Sequence, residues 1–196
     1  HFFDHASRVP LIVHAPEYFA SGRSLVNVSL VDLLPTLCDL AGFKVGEHAP
    51  QALDGSSLVS QCEHPEHANC RAVYAEITSE GVPAPMFMVR SGQYKLIQGG
   101  DVPSVLYDLA NDPEERSNVA DQPELTGTRR SLESLIQNCW DPASLERDIR
   151  LSQRRRRLVH AAHQKGTAPV WDHRPEDPTV PWIHRGPELY NDWAWR

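Results

Sequence analysis

A short, continuously apolar segment, Val9–His14, constrains the fold of this chain more than any other feature. Hydrophobicity that does not alternate is typical of a strand covered on both faces, as in a parallel sheet flanked by helices. Apolar residues then recur at helical spacing over residues 33–41, and Asp32 is the predicted cap of that helix. Pro35 falls in its first turn and Gly42 lies just beyond its end. One strand and one helix make half of an α/β repeat, and the neighbouring strands are not in this sequence.

The middle of the chain has the pattern of an antiparallel sheet. Residues 72–78 alternate between apolar and polar side chains, which is the period of a half-exposed strand. Strands are also predicted over 86–90 and 93–98, on either side of a Ser91-Gly92 hairpin turn, and over 105–109. A helix that can cover one face of this sheet has apolar residues at positions i, i+3, i+4 and i+7: Leu132, Leu135, Ile136 and Cys139.

The last part of the chain begins with a second helix. Asp141 and Pro142 have the residue types of a helix cap and a first helical position, and the helix is predicted to run to about Lys165. Beyond it lies a tail rich in proline and tryptophan. We expect this tail to dock on another surface, because each buried aromatic ring contributes roughly 1.5–3 kcal/mol. The pattern predicts three parts: an α/β end over 1–70, an antiparallel subdomain over 71–139, and a helix with an extended tail over 140–196.

Charge and composition exclude several classes of function. The 196 residues carry a formal net charge of −7, which argues against a nucleic-acid-binding protein. No apolar run approaches the roughly 18 residues that a spanning helix needs, so no membrane partner is predicted. The four cysteines are too few for a disulfide scaffold. Buried thiols in a reducing compartment, the cytoplasm, are therefore the favoured interpretation.

Two clusters contain chemically active residue types without defining a site. Residues Cys62–Cys70 place two thiols and two imidazoles in nine residues, and zinc accepts both ligand types. A contiguous loop with an internal proline is a poor tetrahedral cage, so a disulfide, a metal site and a plain polar surface loop all stay open. Residues Arg154–Arg157 spread over every face of a helix, which indicates solvated or paired side chains rather than a focused basic patch.

Familiar catalytic motifs are absent from the sequence. It has no G-x-S-x-G nucleophile motif, no H-E-x-x-H and no glycine-rich phosphate loop. His5 and His14 lie beside the first predicted strand and are interpreted as structural. Glu76 and Glu80 lie near the end of a predicted strand, where α/β proteins place substrate contacts. Either carboxylate is therefore a candidate for facing a cation.

Motifs along most of the chain resemble the later half of sulfatases, which have an alkaline-phosphatase-like fold. The segments that carry the resemblance follow the family's order: Arg8–Val13, Val31–Gly42, Asp54–Leu58, Leu106–Glu115 and Asn118–Ala120. Five further segments resemble the choline sulfatase subgroup: Phe2–Pro10, Ala84–Arg90, Cys139–Asp141, Ser152–Arg156 in the second predicted helix, and Pro169–Asp172. The chain is identified as the C-terminal part of such an enzyme, with the last strand and helix of the main sheet, an antiparallel sheet with helices, and a tail.

The resemblance implies an enzyme that hydrolyses choline O-sulfate to choline and sulfate. The family uses a formylglycine made within a Cys/Ser-x-Pro-x-Arg motif, together with a divalent metal such as calcium, magnesium or manganese. No cysteine or serine of this chain lies in that motif, and the family's Asp-Asp and Asp-His metal motifs lie upstream. The resemblance therefore places no catalytic residue and no metal ligand in this chain, and the fragment alone is expected to be inactive.

The resemblance also suggests how the chain contributes to substrate binding. A quaternary ammonium cannot donate hydrogen bonds, so proteins hold it with aromatic faces and a nearby carboxylate. The predicted choline-binding residues are Glu80, Glu76 and Tyr74, with Tyr74 on the same strand face as Glu76. A homo-oligomer assembled through the C-terminal tail is also implied. The alternatives are a non-catalytic scaffold or binding module derived from a sulfatase, and part of a related aryl-sulfate or phosphonate ester hydrolase.

Overall fold

The computed structural model of this chain describes residues 1–44, 52–67, 71–79 and 81–166. The chain divides into two compact units, His1–Leu151 and Ser152–Arg196. The helices, in chain order, are α1 (Asp4–Ser7), α2 (Leu33–Leu40), α3 (Val59–Glu63), α4 (Thr126–Cys139) and α5 (Pro142–His163). The strands are β1 (Ala72–Ile77), β2 (Met86–Ser91), β3 (Tyr94–Gly99) and β4 (Val102–Asp108). In the second unit, the described residues are the end of α5 and the turn up to Gly166.

The four strands form an antiparallel meander in the order β1-β2-β3-β4, which confirms the predicted sheet. Ser91 pairs with Tyr94, so the β2–β3 turn is Gly92-Gln93, one residue later than predicted. Gly92 has a φ of 55°, a left-handed conformation that glycine adopts without steric cost. Strand β4 starts earlier than predicted, at Val102, because Val102 pairs with Gly99 across the second turn.

Helix α4 covers one face of the sheet, as its apolar spacing predicts. Leu132 is 4% exposed and Ile136 is fully buried. The core between helix and sheet consists of Phe87, Val89, Leu96, Leu106, Ala120, Leu132 and Ile136. The segment after β4 adds to this core, since Asn118 Oδ1 accepts the Leu106 amide at 2.9 Å and the Val119 amide donates to the Leu106 carbonyl at 2.9 Å.

The predicted strand over Val9–His14 is wrong, because this segment has no regular secondary structure. A strand needs a hydrogen-bonding neighbour, and the described strands pair only with one another. The apolar side chains of the segment are correspondingly open to solvent, with Ile12 87% exposed and Val9 53% exposed. The mixed α/β architecture is confirmed by the antiparallel sheet and its helices.

Helix α2 forms where predicted and ends at Leu40; Gly42, whose φ is 69°, follows just beyond its end. The prediction that Asp32 caps α2 is wrong, because its side chain makes no capping hydrogen bond to that helix. The apolar residues of α2 are also exposed, Leu34 by 57% and Leu37 by 63%.

Helix α5 begins at Pro142, and Asp141 Oδ1 accepts the Ser144 amide at 3.1 Å, as the predicted cap requires. Residues Arg154–Arg157 are exposed on this helix, in line with solvated side chains. No helix in the described ranges is long and apolar enough to cross a membrane. Cys38, Cys62 and Cys139 are free thiols, whereas Cys70 and the tail after Gly166 lie outside the described residues. The three-part division of the chain stays a prediction.

Candidate functional site

The predicted choline-binding residues Tyr74 and Glu76 lie on β1, and Glu80 lies outside the described residues. Tyr74 and Glu76 share the face of the sheet that α4 covers, because side chains two residues apart in a strand point to the same side. Glu76 is exposed near the end of β1, where it pairs in register with Phe87. Tyr74 is half-buried.

Trp140 brings a second aromatic ring to this face. Its ring meets Tyr74 edge to face, with centroids 5.9 Å apart and planes at 77°, and lies 4.8 Å from the ring of Phe87. Burial and the neighbouring Cys139 raise the pKa of Tyr74, so its hydroxyl stays neutral at physiological pH. Trp140 was not among the predicted site residues, although it directly follows the amphipathic α4 and belongs to the quoted Cys139–Asp141 motif.

This face therefore combines partly exposed aromatic rings with a carboxylate, the two components that bind an organic cation. Tyr74 and Trp140 are both half-buried, so each retains surface that a ligand can reach. Phe87 is 1% exposed and acts as packing beneath them.

The opposite face of the sheet carries a buried ionic cluster that the sequence did not reveal. The Lys95 side chain is 1% exposed; its ammonium pairs with the Asp4 carboxylate and lies 2.7 Å from Glu115 Oε1. Lys95 Nζ also donates to the Phe2 carbonyl at 3.0 Å. The Asp4 amide donates to Glu115 Oε2 at 2.6 Å, and Arg90 Nη1 lies 3.2 Å from Asp4 Oδ2. The cluster joins α1 and the loop after β4 to the sheet.

The Asp4 pKa and the Glu115 backbone conformation both reflect the contacts within this cluster. Burial alone would raise the pKa of Asp4, but the hydrogen bond and charge of Lys95, with the charge of Arg90, lower it below its usual value. Glu115 has a φ of 55°, which a residue with a side chain adopts only when its surroundings impose it. The positive φ places a buried carboxylate beside Lys95.

Asp32 forms the centre of a second polar cluster. It is fully buried, and its carboxylate receives a bidentate pair from Arg71, with N–O distances of 2.6 and 2.7 Å. The amides of Ser29 and Ser56 donate to the same carboxylate at 2.8 and 3.0 Å. Burial would raise the pKa of Asp32, but the Arg71 hydrogen bond and these amides lower it below its usual value. Asp32 thus links the start of α2 to the Asp54–Leu58 segment and to the residue before β1.

A large open groove separates the first segment of the chain from the sheet. Its volume is about 1140 Å³, and residues 7–16 and 19–28 line one side. Val73 and Met88 of the sheet line another side, together with Arg90 and Lys95 of the ionic cluster. The exposed apolar residues of the predicted first strand lie along this groove.

The described residues do not fit the sulfatase catalytic centre. His64, Glu66 and His67 form the only group of three metal-ligand side chains found in the described ranges, and all three are exposed on a turn. His5 stacks on Phe3 with centroids 5.8 Å apart, in line with a structural role. No cysteine or serine of the sequence lies in a Cys/Ser-x-Pro-x-Arg motif.

Comparisons with known proteins show the family of the chain. Residues 1–141 match the family model described as N-sulphoglucosamine sulphohydrolase, C-terminal, and residues 147–180 match the one described as choline sulfatase enzyme C terminal. A choline-sulfatase of Rhizobium meliloti (strain 1021) is 34% identical over 177 residues, which are 89% of this chain and 34% of the relative. Arylsulfatase K of Homo sapiens is 35% identical over 146 residues, which are 68% of this chain and 26% of the relative.

A solved structure of a 2-O GAG sulfatase is 34% identical in sequence, with a TM-score of 0.46 and coverage of 55% of this chain and 23% of that one. The first family model matches well over half of the chain, so the chain belongs to the sulfatase family, whose relatives named here are sulfuric ester hydrolases. Within that family it is homologous to choline-sulfatase along most of its length. The chain spans about a third of that relative.

Proposed function

We propose that this chain is the C-terminal portion of an enzyme that hydrolyses choline O-sulfate to choline and sulfate. The similarity to the Rhizobium choline-sulfatase and the match to the choline sulfatase C-terminal model support this substrate. The observation that carries the proposal is one face of the sheet. On this face the rings of Tyr74 and Trp140 contact each other edge to face, and the exposed carboxylate of Glu76 lies two residues after Tyr74 on the same strand.

The proposed role of this face is to hold the trimethylammonium end of the substrate. A quaternary ammonium has no N–H group and cannot donate a hydrogen bond. Aromatic faces and one nearby carboxylate bind it through its positive charge. Tyr74 and Trp140 supply the rings, and Glu76, with Glu80 as a second carboxylate, supplies the negative charge. A raised tyrosine pKa keeps Tyr74 uncharged, so that its ring contributes packing and quadrupole rather than charge.

Bond cleavage belongs, in this proposal, to formylglycine and a divalent metal held by polypeptide outside these 196 residues. When bound, the metal polarises the sulfate oxygens and favours attack on sulfur. The chain by itself is expected to hydrolyse no sulfate ester. The proposal also includes a cytoplasmic enzyme that forms a homo-oligomer through the tail after α5, which a native-mass comparison of the enzyme with and without that tail would check.

The decisive experiment compares two substrates in an active enzyme that includes these residues. Glu76→Gln is expected to raise KM for choline sulfate about tenfold, which corresponds to about 1.4 kcal/mol of lost cation binding. KM for an aryl sulfate that carries no cationic group should stay unchanged. Glu124→Gln, which neutralises another exposed glutamate, serves as the matched control. Equal effects of Glu76→Gln on both substrates would contradict the ammonium role.

A further inference from the structure

The turn that follows α3 brings two imidazoles and a carboxylate together. The His67 amide donates to the His64 carbonyl at 3.0 Å and closes the turn. Gln61 of α3 reinforces it, because its amide nitrogen lies 3.3 Å from the carbonyl oxygens of both His64 and His67. Pro65 has a fixed φ, which further limits the turn's conformations. The backbone of this turn is therefore held before any ligand binds.

The three side chains lie close together on the surface of this turn. The rings of His64 and His67 stack with centroids 4.8 Å apart and planes at 21°. Glu66 Oε1 lies 3.7 Å from His64 Nδ1 and 3.6 Å from His67 Nε2. One ligand atom from each residue lies within 4.8 Å of the other two. All three side chains are more than half exposed, so an ion and its waters can reach them.

We infer that this turn is a binding site for a first-row transition-metal dication, of which Zn²⁺ is the natural probe. Two imidazoles and one carboxylate form a donor set that Zn²⁺ accepts, with water in the remaining position. Ligand bonds of about 2.0–2.1 Å place tetrahedral donors about 3.3 Å apart. Glu66 Oε1 lies 3.6 and 3.7 Å from the two imidazole nitrogens, close to that spacing, and the exposed, stacked imidazoles would turn about their side-chain bonds to face the same ion.

The site has structural support from both sides of the turn. Gln61 acts through the backbone of the two histidines and positions them without contacting the ion. Pro65 packs against Gly22 so closely that a Cβ on Gly22 would lie 2.5 Å from Pro65 Cγ. A bound ion would therefore stabilise the packing of the turn against residues 19–28, which line the groove. This inference concerns ligands in the Cys62–Cys70 loop and does not depend on the proposed choline-sulfate chemistry.

The first test titrates the tag-free chain with ZnCl₂ by isothermal titration calorimetry. The His64→Gln/His67→Gln double variant is expected to lose one equivalent of Zn²⁺, or to bind it at least a hundredfold more weakly. The matched control is His160→Gln/His163→Gln, which removes two histidines with the same spacing from α5 and should retain that equivalent. Cys62→Ser should also retain it. An unchanged stoichiometry in the first variant, an equal loss in the control, or a loss with Cys62→Ser would each overturn the site.

The second test reads the geometry of the imidazoles. Long-range ¹H–¹⁵N spectra of the Zn²⁺-loaded chain should show His64 bound through Nδ1 with its proton on Nε2, and His67 bound through Nε2 with its proton on Nδ1. Gln61→Ala should weaken Zn²⁺ binding about tenfold, the usual cost of losing an outer-shell partner, without changing these tautomers. Spectra in which Zn²⁺ leaves both histidine signals unperturbed would overturn the inference.

Discussion

The sheet region and the first 44 residues bury apolar surface very differently, although both are rich in leucine, isoleucine and valine. In the sheet region, Leu96, Leu106 and Ile136 are completely buried. In the first region, Ile12 is 87% exposed and Leu25 is 86% exposed. The meander and its covering helix bury each other's apolar faces, and the residues that do so are close in sequence. Residues Val9–His14 and helix α2, in contrast, have the apolar pattern of buried elements. The surfaces that would cover them are not among the described residues.

Ion pairs join the first region to the sheet region. Lys95 on β3 binds Asp4 of α1, and Arg71 just before β1 binds Asp32 just before α2. Breaking one partner of a buried pair leaves an uncompensated charge, which makes such contacts costly to disrupt even where their net contribution to stability is small. The comparison therefore predicts that buried charges and the sheet core dominate stability, while the apolar residues of α2 contribute little.

The largest effect is expected from Lys95→Met. This variant removes the cation between Asp4 and Glu115. Glu115 is then left as a buried carboxylate without its ion-pair partner, while Asp4 keeps Arg90, so the free energy of unfolding should fall by about 3–5 kcal/mol. Urea denaturation at neutral pH measures it. Adding Glu115→Gln to Lys95→Met should recover part of the loss, because the unpaired Glu115 charge is then gone. No recovery in the double variant would contradict the ionic explanation.

Core truncation tests the comparison most directly. Ile136→Ala in α4 should lower the free energy of unfolding by about 2–5 kcal/mol, because it opens a cavity beneath a fully buried side chain. Leu37→Ala in α2 is the matched control; its side chain is 63% exposed, and the expected change is below about 1 kcal/mol. Comparable losses from the two variants would show that α2 is covered in solution by another surface.

The contrast between the regions also explains how much of the fold the sequence predicts. The meander was predictable because strand alternation, turn glycines and the spacing of Leu132 and Ile136 are local signals that one subdomain satisfies internally. Val9–His14 has the composition of a strand, but strand formation depends on a neighbour that composition does not specify. The continuous apolar run therefore predicted a buried strand where the described structure has an exposed, irregular segment.

The polar sites show a similar limit. Asp32 has the residue type and position of a helix cap, yet its carboxylate binds Ser56 and Arg71, which lie 24 and 39 residues away. Lys95 was missed because a lysine in a strand normally faces solvent, and its partners Asp4 and Glu115 come from two distant segments. The shared sheet face of Tyr74 and Glu76 was predictable because they are two residues apart in one strand. The position of Trp140 beside Tyr74 could not be predicted without knowing how α4 packs on that strand.

An acid titration distinguishes the stability contributed by the ion pairs from the stability contributed by the apolar core. The folded-state pKa values of Asp4 and Asp32 are lowered, so both carboxylates add stability that is fully present above their unfolded pKa of about 3.9. That stability is lost as the pH falls through the lower folded values. Asp32→Asn should weaken the decline in unfolding free energy between neutral pH and pH 3. An unchanged pH profile would mean that the Asp32–Arg71 pair is not formed in solution.

The smallest effects come from backbone conformation, and they should have opposite signs in the two regions. Gly127 lies in α4 with no atom within 4 Å of an added Cβ, so Gly127→Ala should stabilise the chain by about 0.5–1 kcal/mol. Gly42 also has open space around an added Cβ, but its φ of 69° is left-handed, and Gly42→Ala should cost about 1–2 kcal/mol. Thermal unfolding of the two variants isolates the backbone term, because neither methyl group gains or loses a packing contact. A Gly42→Ala variant as stable as the parent chain would show that the C-terminal turn of α2 lies outside the cooperative unit formed by the sheet and α4.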